Sequence, residues 1–551
     1  MAICRQKRGD KVYLYRYKNV REGKKVRHVF IEYLGVEGKD GKPVKSPKRI
    51  LDRVDISSVR KYGAVCVLWR LCEQMGLEGI MNSVVQKRGF SAGRLLVLLA
   101  INWCIQPKSF TGFSRWYAKT ELPELAGLPP AALSKDNLLS AMDAVCGENE
   151  EGEYDFTLEI EKEIFDACRK TLPEGTFSTL LYDLTNAFFH GGTCVLAEFG
   201  YTPKGTKKKK VHVALVVTRR YHIPIFHMVL RGSVQGALTA GKLLDIMDNF
   251  GIKKVTLVWY RGVTSAENVG WADTQRIGLI CGLRRDLVEI RKMIHECEVP
   301  ETPSTLVRGY GDGGIYAIGK ETTVFGKKRK VVIYLNTTKR DSKRISRNEK
   351  IKRANSELAG ISGRWSDQEK VHKRVDAILK GISDYVKVSY RVKDGSVFVD
   401  HRIDEEALNL AARSDGKYAL MSTDLSMGVE DVVNAYFAKS EIERTFRTMK
   451  QVIGLEPIRH RLEFRVKAHM FVCFMAYLLY SMLGYKLKNA GILESVEEVL
   501  ERLNDVEKIR LTYGKQTDER YLNLGKFEWD VLTKLEMRDM CQTKSIERGQ
   551  V

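Results

Sequence analysis

The chain has 551 residues, 44% of them hydrophobic, and a formal net charge of +22. A chain this long outgrows a single core, so two to four domains are expected, and its hydrophobic content excludes a mainly disordered protein. The positive surplus favours a polyanionic partner, with nucleic acid ahead of an acidic membrane surface.

Met1 to Lys18 is charged throughout and has no apolar run, so no secretory signal is expected, and the cysteine usage fits a reducing cytoplasm. Lys11–Tyr17 and Lys25–Tyr33 are strand-like runs around a polar turn and predict a hairpin. Residues 40–56 are polar, with Gly and Pro, and read as a linker. From Val59 to about Lys170 the pattern is helical, clearest in Ala64–Met75 and Ala92–Ile105, where apolar residues recur at three- and four-residue spacing. At Phe177 the period changes. Thr179–Phe189, Val211–Thr218 and Ile223–Leu230 read as strands, Ala237–Asn249 as a helix, Val255–Trp259 as a strand, Ala266–Arg276 as a helix and Leu279–Leu283 as a strand. That order predicts a mixed α/β sheet.

Further on, Val324–Asn336 has a Lys/Arg turn at Gly326–Lys330, and Val386–Asp400 turns at Asp394-Gly395. Lys339–Ile382 between them is charged and helical. Tyr418–Ser422 then returns as a strand and Val429–Gln451 as a helix. The expected division is an N-terminal hairpin region (1–55), a helical domain suited to DNA (56–175) and the α/β core in two parts (176–290 and 416–485). A β-rich insertion with charged helices (291–415) separates those parts, and a charged extension (486–551) ends the chain. The longest apolar stretches, Leu95–Ile105 and His469–Leu483, fall short of the ~20 residues of a bilayer span and read as buried helices. Eleven scattered cysteines without a CxxC pair suggest free buried thiols, not a disulfide framework or a zinc site.

Two segments carry carboxylates that need an explanation. On a helix over Val429–Gln451, Ala435, Ala438, Ile442, Phe446 and Met449 form a core stripe, and Tyr436, Lys439, Glu443 and Lys450 form a second stripe beside it. Such a charged stripe is commonly a solvated face. Asp183, in the strand LLYDLTNAFF, is costlier, because an ionised carboxylate in a buried strand needs a partner. Thr185 or Asn186 could supply one by hydrogen bonding, or a metal ion could.

The spacing Tyr436-x2-Lys439-x3-Glu443-x6-Lys450 resembles the Y-(2)-R-(3)-E-(6)-K signature of IS4-type DDE transposases, in particular the IS1634-like branch. Thr445–Lys450 (TFRTMK), the strand Lys417–Thr423, Asp183 with Thr185, and the stretch from Gly200 to Gly232 are similar to that family as well. In the family, the fourth strand ends in Asp-Arg-Gly followed by Ser-x-Glu-Asn. Here Leu257–Asn268 reads LVWYRGVTSAEN, with Tyr260 where the second acid belongs. The resemblance implies an RNase H-like DDE core that binds terminal inverted repeats and target DNA, as a homodimer, and catalyses cleavage and strand transfer. It implies two divalent ions, Mg²⁺ or Mn²⁺, with Asp183 and Glu443 among their ligands. Tyr436, Lys439, Lys450 and Arg261 would contact DNA.

Two departures from the family matter. Lys439 keeps the charge of the family's Arg but loses its planar fork. Tyr260 is graver: hard divalent ions take anionic oxygen, and a phenol with an unperturbed pKa of about 10 is neutral at pH 7. Tyr260 is then an ordinary strand-end tyrosine, or the mark of a damaged or altered copy. An impaired transposase, a catalytically inactive transposase-derived DNA-binding protein and another nuclease of the same fold all remain open. Basic runs at Lys207–Lys210, Lys327–Lys330, Lys339–Arg347 and Arg459–His469 suit phosphate contacts. The DNA ends would be read by the helical region or the N-terminal hairpin.

Overall fold

The structure, a computed structural model, describes residues 2–22, 25–38, 41–44, 55–85, 89–190, 194–201, 205–311, 313–513 and 516–541. The chain divides into two compact units, one of Met1–Leu71, Lys108–Ser134 and Lys486–Val551, the other of Cys72–Pro107 and Lys135–Tyr485.

In the first unit the expected hairpin is the centre of a four-stranded antiparallel sheet, Ala2–Arg8, Lys11–Glu22, Lys25–Glu37 and Pro43–Val44, in sequence order. Residues 45–54, most of the expected linker, lie outside the described residues. The stretch read as a C-terminal extension does not stand apart. Its strand Glu507–Tyr513 pairs with Asp55–Lys61 on one side and Gln516–Leu522 on the other. Charge pins this sheet: Lys508 Nζ lies 2.7 Å from Glu121 and 3.0 Å from Glu519. A largely buried ammonium is tolerable there because two carboxylates flank it.

The second unit is built on a ten-stranded mixed sheet. Its strands are β1 (Thr179–Phe188), β2 (Lys207–Thr218), β3 (Pro224–Arg231), β4 (Thr256–Trp259), β5 (Gly278–Gly282), β6 (Leu306–Tyr310), β7 (Gly313–Val324), β8 (Lys327–Asn336) and β9 (Lys417–Ser422), in the order β3-β2-β1-β4-β5-β9-β8-β7-β6. The short strand Glu198–Tyr201 adds to β2. β1, β2 and β3 are antiparallel neighbours, whereas β4 runs parallel to β1 and β5 parallel to β4. The helices α1 (Thr157–Thr171), α2 (Ala240–Asn249) and α3 (Ala266–Thr274) serve this part of the sheet, and α3 makes the crossover that the parallel pair β4–β5 requires. Alternate residues Leu180, Tyr182, Leu257, Trp259, Leu279 and Cys281 join Phe165, Leu243, Met247 and Val269 in one core cluster. The intervening residues of the same strands therefore face the other way.

The mixed sheet follows the predicted order, but the insertion differs from its expected form. β8 pairs with β9 from Lys330 to Leu335, so 306–336 extends the main sheet instead of forming a separate β-rich domain. The cause is apolar: Val331, Ile333 and Leu335 belong to the same core cluster as β1 and β4. Lys327–Lys330 opens β8 rather than tipping a turn, which sits at Phe325 and Gly326, both with positive φ. The basic run Lys207–Lys210 likewise opens a strand, β2. The part with its own core is mostly helical: α4 (Thr337–Ile361), α5 (Gln368–Ile378), the hairpin Val386–Lys393 with Ser396–Ile403, and the helix Glu405–Ser414. Its hairpin turns at Asp394-Gly395 as predicted, with φ of 50° and 73°.

The predicted helix Val429–Gln451 is broken at Ala438 into α6 (Val429–Phe437) and α7 (Lys439–Thr448), with a π turn over Met449–Ile453. At the break the Ala438 amide bonds both Asn434 O and Tyr436 O, which tightens the turn. The core stripe survives: Ala435, Ala438, Ile442, Phe446 and Met449 are all buried. The last apolar run lies in α8 (Glu463–Asn489), long and apolar enough to cross a bilayer, yet 89% of its apolar window is buried inside the protein.

Asp415, just before β9, is buried against α4. It accepts two bonds from Arg347, at 3.2 and 2.5 Å, and lies 3.0 Å from Lys343 Nζ. Burial works to raise this carboxyl, but Arg347 and Lys343 prevail and hold it below the usual carboxylate value. Asp415→Asn leaves Arg347 unpaired in a buried place and is expected to cost about 3 kcal/mol in urea unfolding at pH 7. Because the folded pKa is depressed, the contribution is present above the unfolded carboxylate pKa of about 3.9 and is lost as pH falls through the lower folded value. The gap between wild type and variant should therefore close in acid. Equal urea midpoints at pH 7 would refute the assignment.

Candidate active site

β1 and β4 run side by side in the register Thr256↔Thr179, Leu257↔Leu180 and Val258↔Leu181. Continued two residues, that register sets Tyr260, just past the end of β4, level with Asp183 in the middle of β1. Alternation puts both on the sheet face opposite the α2 and α3 core. α6 and α7 cover this face, touching β1, β4 and β5. Glu443, on the exposed edge of α7, reaches the same spot: Tyr260 Oη donates to its Oε1 at 3.1 Å. Burial, followed by the Asp183 and Glu443 carboxylates at hydrogen-bonding range, pushes the Tyr260 phenol far above its ordinary pKa. The phenol is therefore a neutral donor held between two acids.

Two cavities meet at this contact. A cleft of about 1080 Å³ is lined by Asp183, Thr185, Lys208, Arg447, Lys450 and Glu456, together with Tyr260 and Glu443. A smaller one, about 500 Å³, is lined by Arg261, Tyr334, Tyr418, Tyr436 and Phe437 and again by Tyr260 and Glu443. The Tyr260–Glu443 bond is thus part of the wall between them.

The other predicted residues fall around this wall. Tyr436 and Arg261 share the smaller cavity, and burial pushes the Tyr436 phenol up to about 12. They fit because residue 282 is a glycine: a Cβ there would stand 2.7 Å from Tyr436 Oη and 3.2 Å from Arg261 Cβ. Lys450 lines the larger cleft, but its ammonium donates to Asn186 O at 2.6 Å and lies 3.7 Å from Glu456. It ties the end of α7 to β1 before it can serve a ligand. Lys439 opens α7, and its side chain lies outside the described residues.

Glu456 was not singled out in the sequence, and Lys208 and Arg447 stood only within a basic run and the TFRTMK stretch, not as a set. No spacing links them, since they come from β2, α7 and the loop after the π turn. The basic runs are partly structural. Arg329 is buried against Asp273, Lys343 and Arg347 hold Asp415, and Arg465 pairs with Asp143 at 2.7 Å. Asp273 offers no spare acid: burial would raise it, but hydrogen bonds from Arg329 and Lys327 hold it low on the far side of α3.

Does this set fit a pair of divalent ions? Such ions need several anionic oxygens and room between them. Here two carboxylates are bridged by a neutral phenol that offers no anionic oxygen. Among the described residues no group of three or more His, Cys, Asp and Glu side chains is placed to hold a metal. The set as it stands does not fit a two-ion site.

Comparison with known proteins bears on the family. A model of the transposase DDE domain matches residues 192–479, just over half of the chain. That span includes Tyr260 and Glu443 and begins after Asp183. Among solved structures, a piggyBac transposase synaptic complex with hairpin DNA is similar at 9% identity and a TM-score of 0.37, covering 80% of this chain and 78% of that one. A Drosophila P element transposase strand transfer complex is similar at 12% identity and a TM-score of 0.20, covering 78% and 89%. A Mos1 transposase paired-end complex is similar at 13% identity and a TM-score of 0.14, covering 38% and 66%. No curated protein sequence matches the chain. On the family match, with its acids gathered on one sheet face, the chain belongs to the transposases with a DDE domain.

Proposed function

We propose that this chain is an IS4-type transposase of the IS1634-like branch that keeps its grip on DNA and is impaired in cutting it. The observation that carries the proposal is the Tyr260 phenol, hydrogen-bonded to Glu443 and facing Asp183 in the position of the family's second acid. β1 to β5 form the RNase H-like core of this reading, and Asp183 and Glu443 are its two remaining metal ligands. Lys208, Arg447 and Arg261 line the cavities on either side of the contact and supply positive charge for phosphates. Tyr436 and Lys439 position the same strand. Its substrates are the element's terminal inverted repeats and target DNA, engaged by a homodimer at the nucleoid of the cytoplasm. An aspartate at 260 would replace a neutral donor with a third carboxylate and give the set the anionic oxygens that Mg²⁺ or Mn²⁺ requires.

Cleavage assays test this directly. Purified protein and duplexes from the flanks of its own gene are expected to form a complex, with cleavage barely above background in Mg²⁺ or Mn²⁺. Tyr260→Asp should raise cleavage by orders of magnitude, and adding Asp183→Ala should abolish the gain. Strong wild-type cleavage that is lost in Asp183→Ala would overturn the proposal. A silent Tyr260→Asp that still binds would leave a DNA-binding protein without catalysis, and cutting without joining would mark another nuclease.

Stability gives a separate readout. Tyr260→Phe removes the donor and leaves two carboxylates facing each other, at an expected cost of about 1.5 kcal/mol in urea unfolding. Millimolar Mg²⁺ should raise the melting temperature of Tyr260→Asp and leave the wild type unmoved. An unchanged midpoint in Tyr260→Phe would show that the phenol does not hold the acids.

A further inference from the structure

The N-terminal sheet displays aromatic rings that no part of the DDE site uses. Cross-strand pairing sets Tyr15 opposite Tyr33 and Tyr17 opposite Phe30, with irregularities in register that absorb Leu34 and Ile31. The rings form an unbroken ladder on one face: Tyr13 to Tyr33 at 6.1 Å, Tyr33 to Tyr15 at 5.2 Å, Tyr15 to Phe30 at 6.2 Å and Phe30 to Tyr17 at 5.8 Å. Phe30 is 52% exposed, and the four tyrosines are half-buried. Ring pairs across a sheet stabilise it, and that accounts for the tyrosine contacts. It does not account for a phenylalanine left half in water between Tyr15 and Tyr17.

The same face carries positive charge at both ends. Arg8 pairs across from Lys11 at one end, and Arg21 with Val26 at the other. All three cations are exposed. Residues 2–44 hold twelve lysines and arginines against five acids. The complement to such a face is a polyanion that also offers flat apolar surfaces. A duplex offers the charge but hides its base faces in its own stack. Unpaired nucleotides offer both. Rings two residues apart on one strand repeat every ~6.7 Å, the scale of an extended nucleotide step and not of a duplex rise of about 3.4 Å.

We propose that this face binds single-stranded nucleic acid, with bases stacked on Tyr17, Phe30, Tyr15 and Tyr33 and phosphates drawn to Arg8, Lys11 and Arg21. This site does not rest on the transposase reading, since none of its residues belongs to the DDE cleft. The test uses the full chain and a fluorescent oligo(dT) of about 16 nucleotides, with a duplex of equal length as control. Phe30→Ala and Tyr15→Ala should each weaken oligo(dT) binding roughly tenfold and leave duplex affinity within about twofold. Phe30→Leu keeps the apolar volume without the π face, so it should behave like Phe30→Ala, and thermal melting checks that each variant is folded. Unchanged oligo(dT) affinity in the folded Phe30→Leu protein would overturn the site. So would equal losses on oligo(dT) and duplex, or saturable binding to phosphatidylserine vesicles that these variants abolish. Failure of Tyr260→Asp to restore cleavage would leave this result untouched.

Discussion

A carboxylate in the middle of a strand that is otherwise buried sets the terms for the catalytic half of this molecule. Asp183 is only 9% exposed, between Tyr182 in the core and Leu184 beside β2, and an ionised acid there must have its charge answered. Everything around it serves that need. The parallel register of β4 brings Tyr260 alongside, and the α6–α7 pair crosses the open face and delivers Glu443. Lys450 fastens the end of that helix to the β1 backbone three residues beyond the aspartate. A second carboxylate arriving from α7 would worsen the problem if nothing stood between the two. The phenol does, with one proton and a strong preference for keeping it.

On the proposed function, that arrangement is how the fold tolerates a tyrosine in place of an acid. A set of acids built around bound cations is self-repelling without them. Replacing one acid by a neutral donor removes a negative charge and adds a hydrogen bond to a charged group, so the sheet and helix can close without an ion. The surrounding frame is kept. Gly282 still leaves room for Tyr436 beside Arg261, and Ser265 still caps α3 by accepting from the Asn268 amide. On the proposed function, DNA contact and chemistry are separable, because the change falls on one side chain at the end of one strand.

The strands of the sheet and their succession along the chain were legible in the sequence because each strand of the core alternates or runs apolar between clear turns, and each helix carries an apolar stripe. Ala92–Ile105 and the Asp394-Gly395 turn are found where patterning places them. The limits of the insertion were not legible. β8 begins with Lys327, Lys328, Arg329 and Lys330, a run that reads as a turn until Asp273, on a helix more than fifty residues earlier, is seen to take Arg329 and Lys327. Glu507–Tyr513 reads as part of a charged tail for the same reason, as its lysine and arginine find Glu121, Glu124 and Glu519 only after folding. At the site, Asp183, Tyr260 and Glu443 could be named from motif frames, whereas Lys208, Arg447 and Glu456 depend on three separate elements meeting. Lys450 could be named but not its job: the stripe on the helix shows a cation near the glutamate and gives no sign of the backbone carbonyl that holds it.

The long-range ion pairs share one physical logic, which also bears on the net charge of +22. Where a cation is buried, as at Arg329, Arg347 and Lys508, an acid from a distant segment meets it, and such a pair fixes register while contributing little field outside. Other cations line the larger cavity, Lys208 and Arg447 among them, or stand exposed at the two ends of the aromatic ladder. Counting basic runs in the sequence overstates the first group and misses the second, because Arg8, Lys11 and Arg21 are too widely spaced to look like a patch. Pairing across strands sets Arg8 beside Lys11, and the strand's period of two puts rings and charges on one face. The chain's positive surplus is therefore not a uniform coat.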